Sequence, residues 1–242
     1  MADDESVGVP LKAKTSDLGV RTLSAIVMLA ITGVALWLGG WWWTGLVILV
    51  AAGVLYEWRV LVRQFASGAG ADALWTLGGI IYLGVAAAML MFLREQGLAS
   101  VLAIVLMVIA TDVGAYFTGR TFGGPKIAPR ISPSKTWAGL LGGIVGAGIA
   151  FLATYFAVYR FHSSPEIDFS LIWQSILGGG LVAVIAQAGD FFESWMKRRA
   201  GVKDSSRLIP GHGGLFDRVD GLLAVSFALG ILFIIGRLMA PA

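Results

Sequence analysis

The chain has 242 residues, of which 57% are hydrophobic and 14% are charged, with a formal net charge of +3 and a mean hydropathy of +0.80. In a soluble domain about a quarter of all residues are charged. The much lower charged fraction of this chain excludes an ordinary water-soluble enzyme and indicates a polytopic membrane protein. The absence of cysteine excludes disulfides and thiolate metal sites. We expect no nucleic acid among the partners of the chain.

The N-terminal segment, residues 1–20, is polar and begins with acidic residues. It lacks the basic segment followed by an apolar core that marks a cleavable signal peptide. We therefore expect a cytosolic tail over residues 1–20 that is disordered or lies on the membrane surface.

Seven stretches after this tail are apolar enough to cross a membrane, since a hydrocarbon core about 30 Å thick needs roughly 20 apolar residues in a helix. An eighth or ninth helix would require one of the glycine-rich runs to be split. The fold class is therefore all-α, with N-terminal transmembrane helices over 21–110 and a catalytic region over 111–242. The stretches are about 22–39, 41–56, 73–93, 98–117, 137–159, 171–191 and 220–239.

The basic residues orient these helices. With the N-terminus in the cytosol, all but three of the 18 lysines and arginines fall on the cytosolic side, the exceptions being Arg94, Arg160 and Arg237. Such a bias is typical of cytoplasmic loops. We expect an integral protein of a bacterial inner membrane, with its polar motifs at the cytosolic face.

The first polar segment follows the fourth predicted span and reads TDVGAYFTGRTFGGPKIAPRISPSKT. Its GRTFGGPK part is not a P-loop, because proline stands where that motif requires G-K-[ST]. Ser132 and Pro133 predict a helix start, with Ser132 as N-cap and Pro133 at the first helical position. Lys135 beside free N–H groups then predicts an anion pocket.

The second polar segment lies between the last two spans and reads GDFFESWMKRRAGVKDSSRLIPGHGGLFDRVDG. Charged residues so near hydrocarbon are costly and indicate a functional site. Asp190 and Glu193 are three residues apart, as are Asp217 and Asp220, so each pair shares one face of a helix. Mg²⁺ binds through one or two carboxylates plus substrate phosphates, and these acids therefore predict a metal site. Salt bridges to the neighbouring basic residues are the open alternative.

The rest of this segment offers groups for phosphates. The GHGG turn before the last span can present backbone N–H groups to an anion, although a flexible loop entering the membrane is an alternative. We expect His212 to bind or orient phosphate, not to act as an acid or base. Lys197, Arg198 and Lys203 are interpreted as phosphate contacts, whereas Arg199 is interpreted as topogenic or lipid-attracting.

The two segments together resemble a known family. The second fits S-x-M-K-R-x4-K-D-x-S followed by P-x-H-G-G-x-x-D-R-x-D, and so resembles the signature of the phosphatidate cytidylyltransferases, the membrane CDP-diacylglycerol synthases. The first resembles the T-D-x-G-A-Y-x-x-G-R and S-P-K-K-T-x-E-G patterns of that family. It departs from them at Ser134, where a lysine is usual, and at Ala138, where a glutamate is usual.

The resemblance implies condensation of CTP with phosphatidate to CDP-diacylglycerol and pyrophosphate, with Mg²⁺ as cofactor, membrane lipids as surroundings and a homodimer as one option. It implies that Asp190 and Asp217 hold the metal, and the catalytic candidates are Asp190, Asp217, Lys203 and Asp220. The candidates for substrate contacts are Asp112, Arg120, Ser132, Lys135, Thr136, Ser194, Lys197, Arg198, His212, Gly213, Gly214 and Arg218.

Two other functions fit the same residues. A CTP-dependent polyprenol-type lipid kinase would attack the γ-phosphorus and release CDP instead of pyrophosphate. An ion transporter would use Asp112 and Asp190 as intramembrane ligands, which predicts acids near the bilayer midplane instead of near one face.

Overall fold

The structure, a computed structural model, describes residues 12–159 and 169–240. Within these ranges seven α-helices are each long and apolar enough to cross a membrane. This confirms the all-α class and the seven predicted spans. The helices are α1 (Lys12–Leu38), α2 (Gly40–Phe65), α3 (Ala69–Gln96), α4 (Leu98–Phe122), α5 (Trp137–Tyr159), α6 (Phe169–Arg199) and α7 (Phe216–Met239).

Several helices extend beyond the apolar stretches. Helix α1 begins at Lys12, so the part of the expected tail after residue 11 is helical, and residues 1–11 lie outside the described ranges. Helices α2 and α6 continue to Phe65 and Arg199. Hydropathy detects only the part that crosses hydrocarbon, whereas Lys, Arg, Glu and Gln are good helix formers that prolong a helix into the polar layer.

A β-hairpin joins α4 to α5 and corrects one prediction. Strand β1 (Lys126–Ala128) pairs in antiparallel fashion with strand β2 (Ser132–Thr136). Ser132 and Pro133 therefore do not begin a helix, and Lys135 lies in a strand instead of at a helix N-terminus. The prediction of a helix start was based only on local capping residues. It did not include the pairing with β1, the strand that precedes the turn.

The true start of α5 lies at the end of this hairpin. Thr136 Oγ1 accepts a hydrogen bond from the N–H of Gly139 at 3.0 Å, which is the contact made by an N-cap side chain. Thr136 thus ends β2 and caps α5, and it fixes the direction in which the helix leaves the hairpin.

Helices α4, α5 and α6 approach closely through glycines. A Cβ atom placed on Gly114 would lie 2.3 Å from the carbonyl oxygen of Gly142, and one on Gly179 would lie 2.6 Å from the backbone nitrogen of Gly148. A Cβ on Gly189 of α6 would lie 2.7 Å from the carbonyl oxygen of Asp220 in α7. Small residues permit such contacts between membrane helices, and here they bring the acidic segments of α4, α6 and α7 together.

An aromatic cluster packs α2 and α3 against the ends of α6 and α7 that carry the acidic residues. The Trp58 ring lies 5.6–6.3 Å, centroid to centroid, from the rings of Trp75, Tyr82, Phe192 and Phe216. Trp58 itself is buried. Tilted aromatic pairs at this spacing stabilise beyond their buried area by about 0.5–1.5 kcal/mol each. The cluster is the apolar base beside which the polar groups are arranged.

The opposite end of the bundle is closed by Arg94. Its Nε donates to the carbonyl oxygen of Leu36 at 2.7 Å and its Nη2 to that of Trp37 at 3.1 Å. The C-terminal ends of α1 and α3 therefore lie at one end of the bundle, as the alternating spans require. Arg160, another basic residue expected there, lies outside the described residues.

Candidate active site

A cavity of about 630 Å³ lies between α4, α5, α6, α7 and the β-hairpin. Its charged lining comprises five acids and four bases, although these residues come from two sequence segments far apart. The charged members are Asp112, Arg120, Lys126, Lys135, Asp190, Glu193, Lys197, Asp217 and Asp220. Polar residues expected to form one site thus lie around one cavity.

Two lysines connect the elements around the cavity. Lys135 Nζ of β2 lies 2.5 Å from Asp190 Oδ2 of α6. Lys197 Nζ of α6 lies 2.5 Å from both Glu193 Oε2 and Asp217 Oδ1, and so bridges α6 and α7. The side chains of Lys135 and Lys197 are only 21% and 12% exposed. Solvent therefore screens these ion pairs less than it screens pairs on an open surface.

Three acids converge at one side of the cavity. One carboxylate oxygen each from Asp190, Glu193 and Asp220 lies within 4.8 Å of the others. Carboxylates this close repel one another, and only Lys135 and Lys197 form salt bridges with them among the described residues. Hard oxygen donors in this arrangement fit a divalent cation such as Mg²⁺.

Asp217 has a different environment from these three acids. Its Oδ2 accepts hydrogen bonds from Ser205 N at 3.0 Å and Gly214 N at 2.9 Å, and it shares with Glu57 the single proton of the Ser205 hydroxyl, whose oxygen lies 2.8 Å away. Its Oδ1 contacts Lys197. Asp217 therefore orders the segment between α6 and α7, and its service as a metal ligand together with Asp190 stays a prediction.

Glu57 of α2 is a buried acid that the motifs do not include. It is 0% exposed and accepts hydrogen bonds from four donors. The donors are Ser205 Oγ at 3.0 Å, Ser206 Oγ at 2.5 Å, Leu215 N at 2.8 Å and Phe216 N at 2.7 Å. Its signal in the sequence is an acid directly after the apolar stretch 41–56.

The backbone N–H groups of the GHGG turn are arranged differently from our expectation. The N–H of Gly214, the last residue of the turn, donates to Asp217, and those of the next two residues, Leu215 and Phe216, donate to Glu57, so these three N–H groups are not free for a phosphate. The anion at the start of α7 is supplied by the protein itself. His212 contributes its carbonyl oxygen, which accepts from Arg218 Nη2 at 2.7 Å.

The predicted substrate-binding residues divide into two groups. Those that line the cavity are Asp112, Arg120, Lys135, Thr136 and Lys197. Those that do not are Ser132, Ser194, Arg198, His212, Gly213, Gly214 and Arg218, together with the catalytic candidate Lys203. The functional roles of both groups stay predictions.

Two members of the second group contact the surroundings of the cavity. Ser194 Oγ donates to Asp190 Oδ1 at 3.3 Å, and Arg198 Nε donates to the Ile131 carbonyl at 3.4 Å beside the hairpin. Lys203 is exposed on the segment between α6 and α7. These residues surround the cavity without lining it.

Other residues also line the cavity. Lys126 and Gln187 lie outside the motif patterns, Tyr116 belongs to the T-D-x-G-A-Y pattern without an assigned role, and Glu193 is the acid paired with Asp190 in the sequence. Gln187 precedes Asp190 by one helical turn and lies in a stretch that hydropathy alone marks as membrane-spanning. Ser134 lines the cavity at the position where a lysine is usual in the resembled pattern.

A family model and several curated relatives indicate one family for this chain. A family model described as the cytidylyltransferase family matches residues 61–235. The chain is 37% identical over 217 residues to a phosphatidate cytidylyltransferase of Brucella suis, which covers 83% of this chain and 74% of the relative. It is 35% identical over 231 residues to one of Rickettsia bellii, covering 92% of both. A phosphatidate cytidylyltransferase of Haemophilus influenzae is 43% identical over 129 residues, which are 53% of this chain and 43% of that protein.

Proposed function

Because the chain belongs to the cytidylyltransferase family, we propose that its cavity condenses CTP with phosphatidate to CDP-diacylglycerol and pyrophosphate. The observation that carries this proposal is a cavity lined by five acids and four bases at one end of a membrane helix bundle. One substrate is a water-soluble polyanion and the other is an anionic lipid. A charged cavity set among lipid-facing helices suits both.

The lipid kinase and the transporter are not favoured, because the relatives are named as phosphatidate cytidylyltransferases. The acids also lie toward one end of the helices. Asp217 and Asp220 are in the first turns of α7, and Asp190 is in the half of α6 nearer Arg199. A transporter with acids at the bilayer midplane predicts a different placement.

The reaction requires the phosphatidate phosphate to attack the α-phosphorus of CTP, while the bond from that phosphorus to the pyrophosphate oxygen breaks. The phosphate is already ionised at neutral pH, so no general base is needed. The task of the protein is to hold both phosphates in line and stabilise the charge that moves to pyrophosphate. Arg120 offers a bidentate phosphate contact, and Lys135 and Lys197 offer compact point charges.

We further propose that Mg²⁺ assists at the acids, where it would offset the charge of the phosphates. Asp190 belongs both to the pair implied by the family resemblance and to the close group with Glu193 and Asp220. The excess of acids over bases in the cavity supports a bound cation, since two anionic substrates enter the same space. Asp217 would become a metal ligand only if the contact between Lys197 Nζ and Asp217 Oδ1 is broken.

We also propose that the cavity faces the cytosol from a bacterial inner membrane. Support comes from the basic residues, because the described chain has Arg94 and Arg237 near the end opposite the cavity and its other lysines and arginines toward the cavity end or in α1. CTP is supplied from the cytosol, which agrees with this orientation. A homodimer remains a prediction.

The decisive experiment uses the purified full chain in detergent with phosphatidate, Mg²⁺ and each nucleoside triphosphate in turn. We expect pyrophosphate release with CTP and a lipid product that carries CMP. Release of CDP with a phosphorylated lipid would establish the kinase instead. Absence of any product with wild-type protein would overturn the proposed function.

A further inference from the structure

Gln187 stands out among the residues around the cavity. Its side chain is 3% exposed, and neither Oε1 nor Nε2 has a hydrogen-bond partner among the described residues. A buried polar group without a partner is costly, and nearly all such groups in proteins are paired. Gln187 lines the cavity while both of its amide atoms are closed to solvent, so a rotation of the side chain toward the cavity would give the amide a partner on a molecule bound there.

The amide packs against α5 in this structure. A Cβ atom on Gly143 of α5 would lie 3.2 Å from Gln187 Nε2, so the amide lies close to the α5 backbone. Gln187 is three residues before Asp190 in α6, which places it about 4.5 Å further from the loops along the helix axis. It therefore lies deeper than the Lys135–Asp190 pair.

Its chemistry differs from that of the residues nearer the loops. Phosphates are matched by Lys135 and Lys197, which carry charge, whereas the Gln187 amide is neutral and matches an uncharged polar group. The partner is thus the part of a substrate that lies next to a phosphate and toward the bilayer interior. In phosphatidate that part is the glycerol with its two ester carbonyls.

The cavity rim is consistent with a lipid entering from the side. Tyr116 of α4 lines the cavity and is 58% exposed, and the next residue, Phe117, is an exposed apolar side chain. Exposed apolar side chains on a transmembrane helix face the hydrocarbon. A lipid passing this rim brings its phosphate to the lysines and leaves its ester groups one turn deeper.

We propose that Gln187 is a substrate-binding residue that donates an Nε2–H hydrogen bond to an ester carbonyl of phosphatidate. This inference rests on the proposed function and assigns a specific group of the lipid to a specific side chain. It also explains why the amide is unpaired in the protein alone.

The test compares Gln187→Leu with Gln174→Leu, an exposed glutamine on the same helix. The KM for each of two lipids is measured with CTP at saturation, and the KM for CTP is measured with diacyl lipid at saturation. One lipid is diacyl phosphatidate, and the other is a dialkyl ether analogue that lacks the carbonyls. Loss of one neutral hydrogen bond of about 0.5–1.5 kcal/mol corresponds to a roughly 2- to 12-fold rise in KM for the diacyl lipid. We expect that rise for Gln187→Leu, none for the ether lipid, and an unchanged KM for CTP.

Other outcomes overturn the inference. A higher KM for CTP would assign the amide to the nucleotide. Equal changes with both lipids, or values matching those of Gln174→Leu, would remove the ester contact. Gln187→Met, which keeps the length of the side chain without its amide, gives the same comparison if the leucine variant does not fold. Failure of wild type to release pyrophosphate would be a failure of the proposed function instead.

Discussion

Glu57 accepts a hydrogen bond from the backbone N–H of Phe216 at 2.7 Å, which joins a fully buried carboxylate of α2 to the first residue of α7. A negative charge at the N-terminus of a helix is favoured by the helix dipole. The same carboxylate accepts from the hydroxyls of Ser205 and Ser206. The segment that positions Asp217 is therefore held by a residue of the second helix.

The first prediction concerns Glu57→Gln. The substitution replaces one carboxylate oxygen, an acceptor, by an NH₂ group, which is a donor. Because the groups around it are themselves donors, at least one buried N–H or hydroxyl group loses its acceptor. A hydrogen bond to a charged group contributes about 1.5–3 kcal/mol, and we expect a lower melting temperature in detergent and a turnover reduced about tenfold or more. Glu95→Gln on the exposed end of α3 is the matched control. Unchanged melting and turnover in the Glu57 variant would show that the contacts do not order the site.

The second prediction separates the acids around the cavity. Asp190→Asn and Asp220→Asn should keep the melting temperature, raise the Mg²⁺ concentration for half-maximal activity and lower turnover by orders of magnitude, since metal stabilisation contributes several kcal/mol and about 1.4 kcal/mol is tenfold. Asp217→Asn should also lower the melting temperature, because Ser205 and Gly214 donate to it. Activity is measured against Mg²⁺ concentration on monodisperse protein.

The result for Asp217 distinguishes two assignments. If Asp217→Asn changes the Mg²⁺ response and leaves the melting temperature intact, Asp190 and Asp217 form the metal pair. A loss of stability with an unchanged Mg²⁺ response would restrict Asp217 to ordering the segment before α7.

The third prediction compares two lysines. Lys135 lines the cavity beside Asp190, whereas Lys203 is exposed outside it. Lys135→Ala should therefore reduce turnover more than Lys203→Ala, with Arg199→Ala as a control because Arg199 lies over the rings of Phe65 and Trp195. An equal or larger loss for Lys203→Ala would mean that the segment between α6 and α7 closes over bound nucleotide.

The fourth prediction is the orientation in the membrane. The chain has no cysteine, so single cysteines introduced at Lys203 and Glu95 report on one position each. A membrane-impermeant maleimide added to intact cells should label the cysteine at 95 and label that at 203 only after permeabilisation. Labelling of position 203 from outside would reverse the orientation.

The fifth prediction tests the glycine contact between α4 and α5. Gly114→Ala places a Cβ 2.3 Å from the Gly142 carbonyl oxygen, whereas a Cβ on Gly78 meets nothing within 4 Å. Overpacking costs about 1–3 kcal/mol, and alanine is the better helix former. Gly114→Ala should lower the melting temperature and Gly78→Ala should leave it equal or higher. Equal melting temperatures of the two variants would mean that α4 and α5 can move apart without a loss of stability.

Much of this architecture follows from the sequence because its signals are local. Runs of apolar residues define the seven spans, and the charges between them identify the segments that form the cavity. The sequence did not reveal the role of Glu57, since its partners lie near residue 205 and at the start of α7, and no spacing rule connects them. Ser132 was placed in a helix because its strand partner was not considered. The different environments of Asp217 and Asp220 depend on how the first turn of α7 is rotated.

The order of the helices has a consequence for synthesis of the protein. Asp217 and Asp220 belong to α7, which follows Lys135 and Asp190 in the chain. Chains are synthesised from the N-terminus, so Lys197 is without its partner Asp217, and Glu57 without the N–H groups of Leu215 and Phe216, until α7 is made. A chain stalled before that point has no complete set of acids. We therefore expect the complete set of cavity acids to form only once α7 has inserted, and a chain that ends before α7 to lack activity.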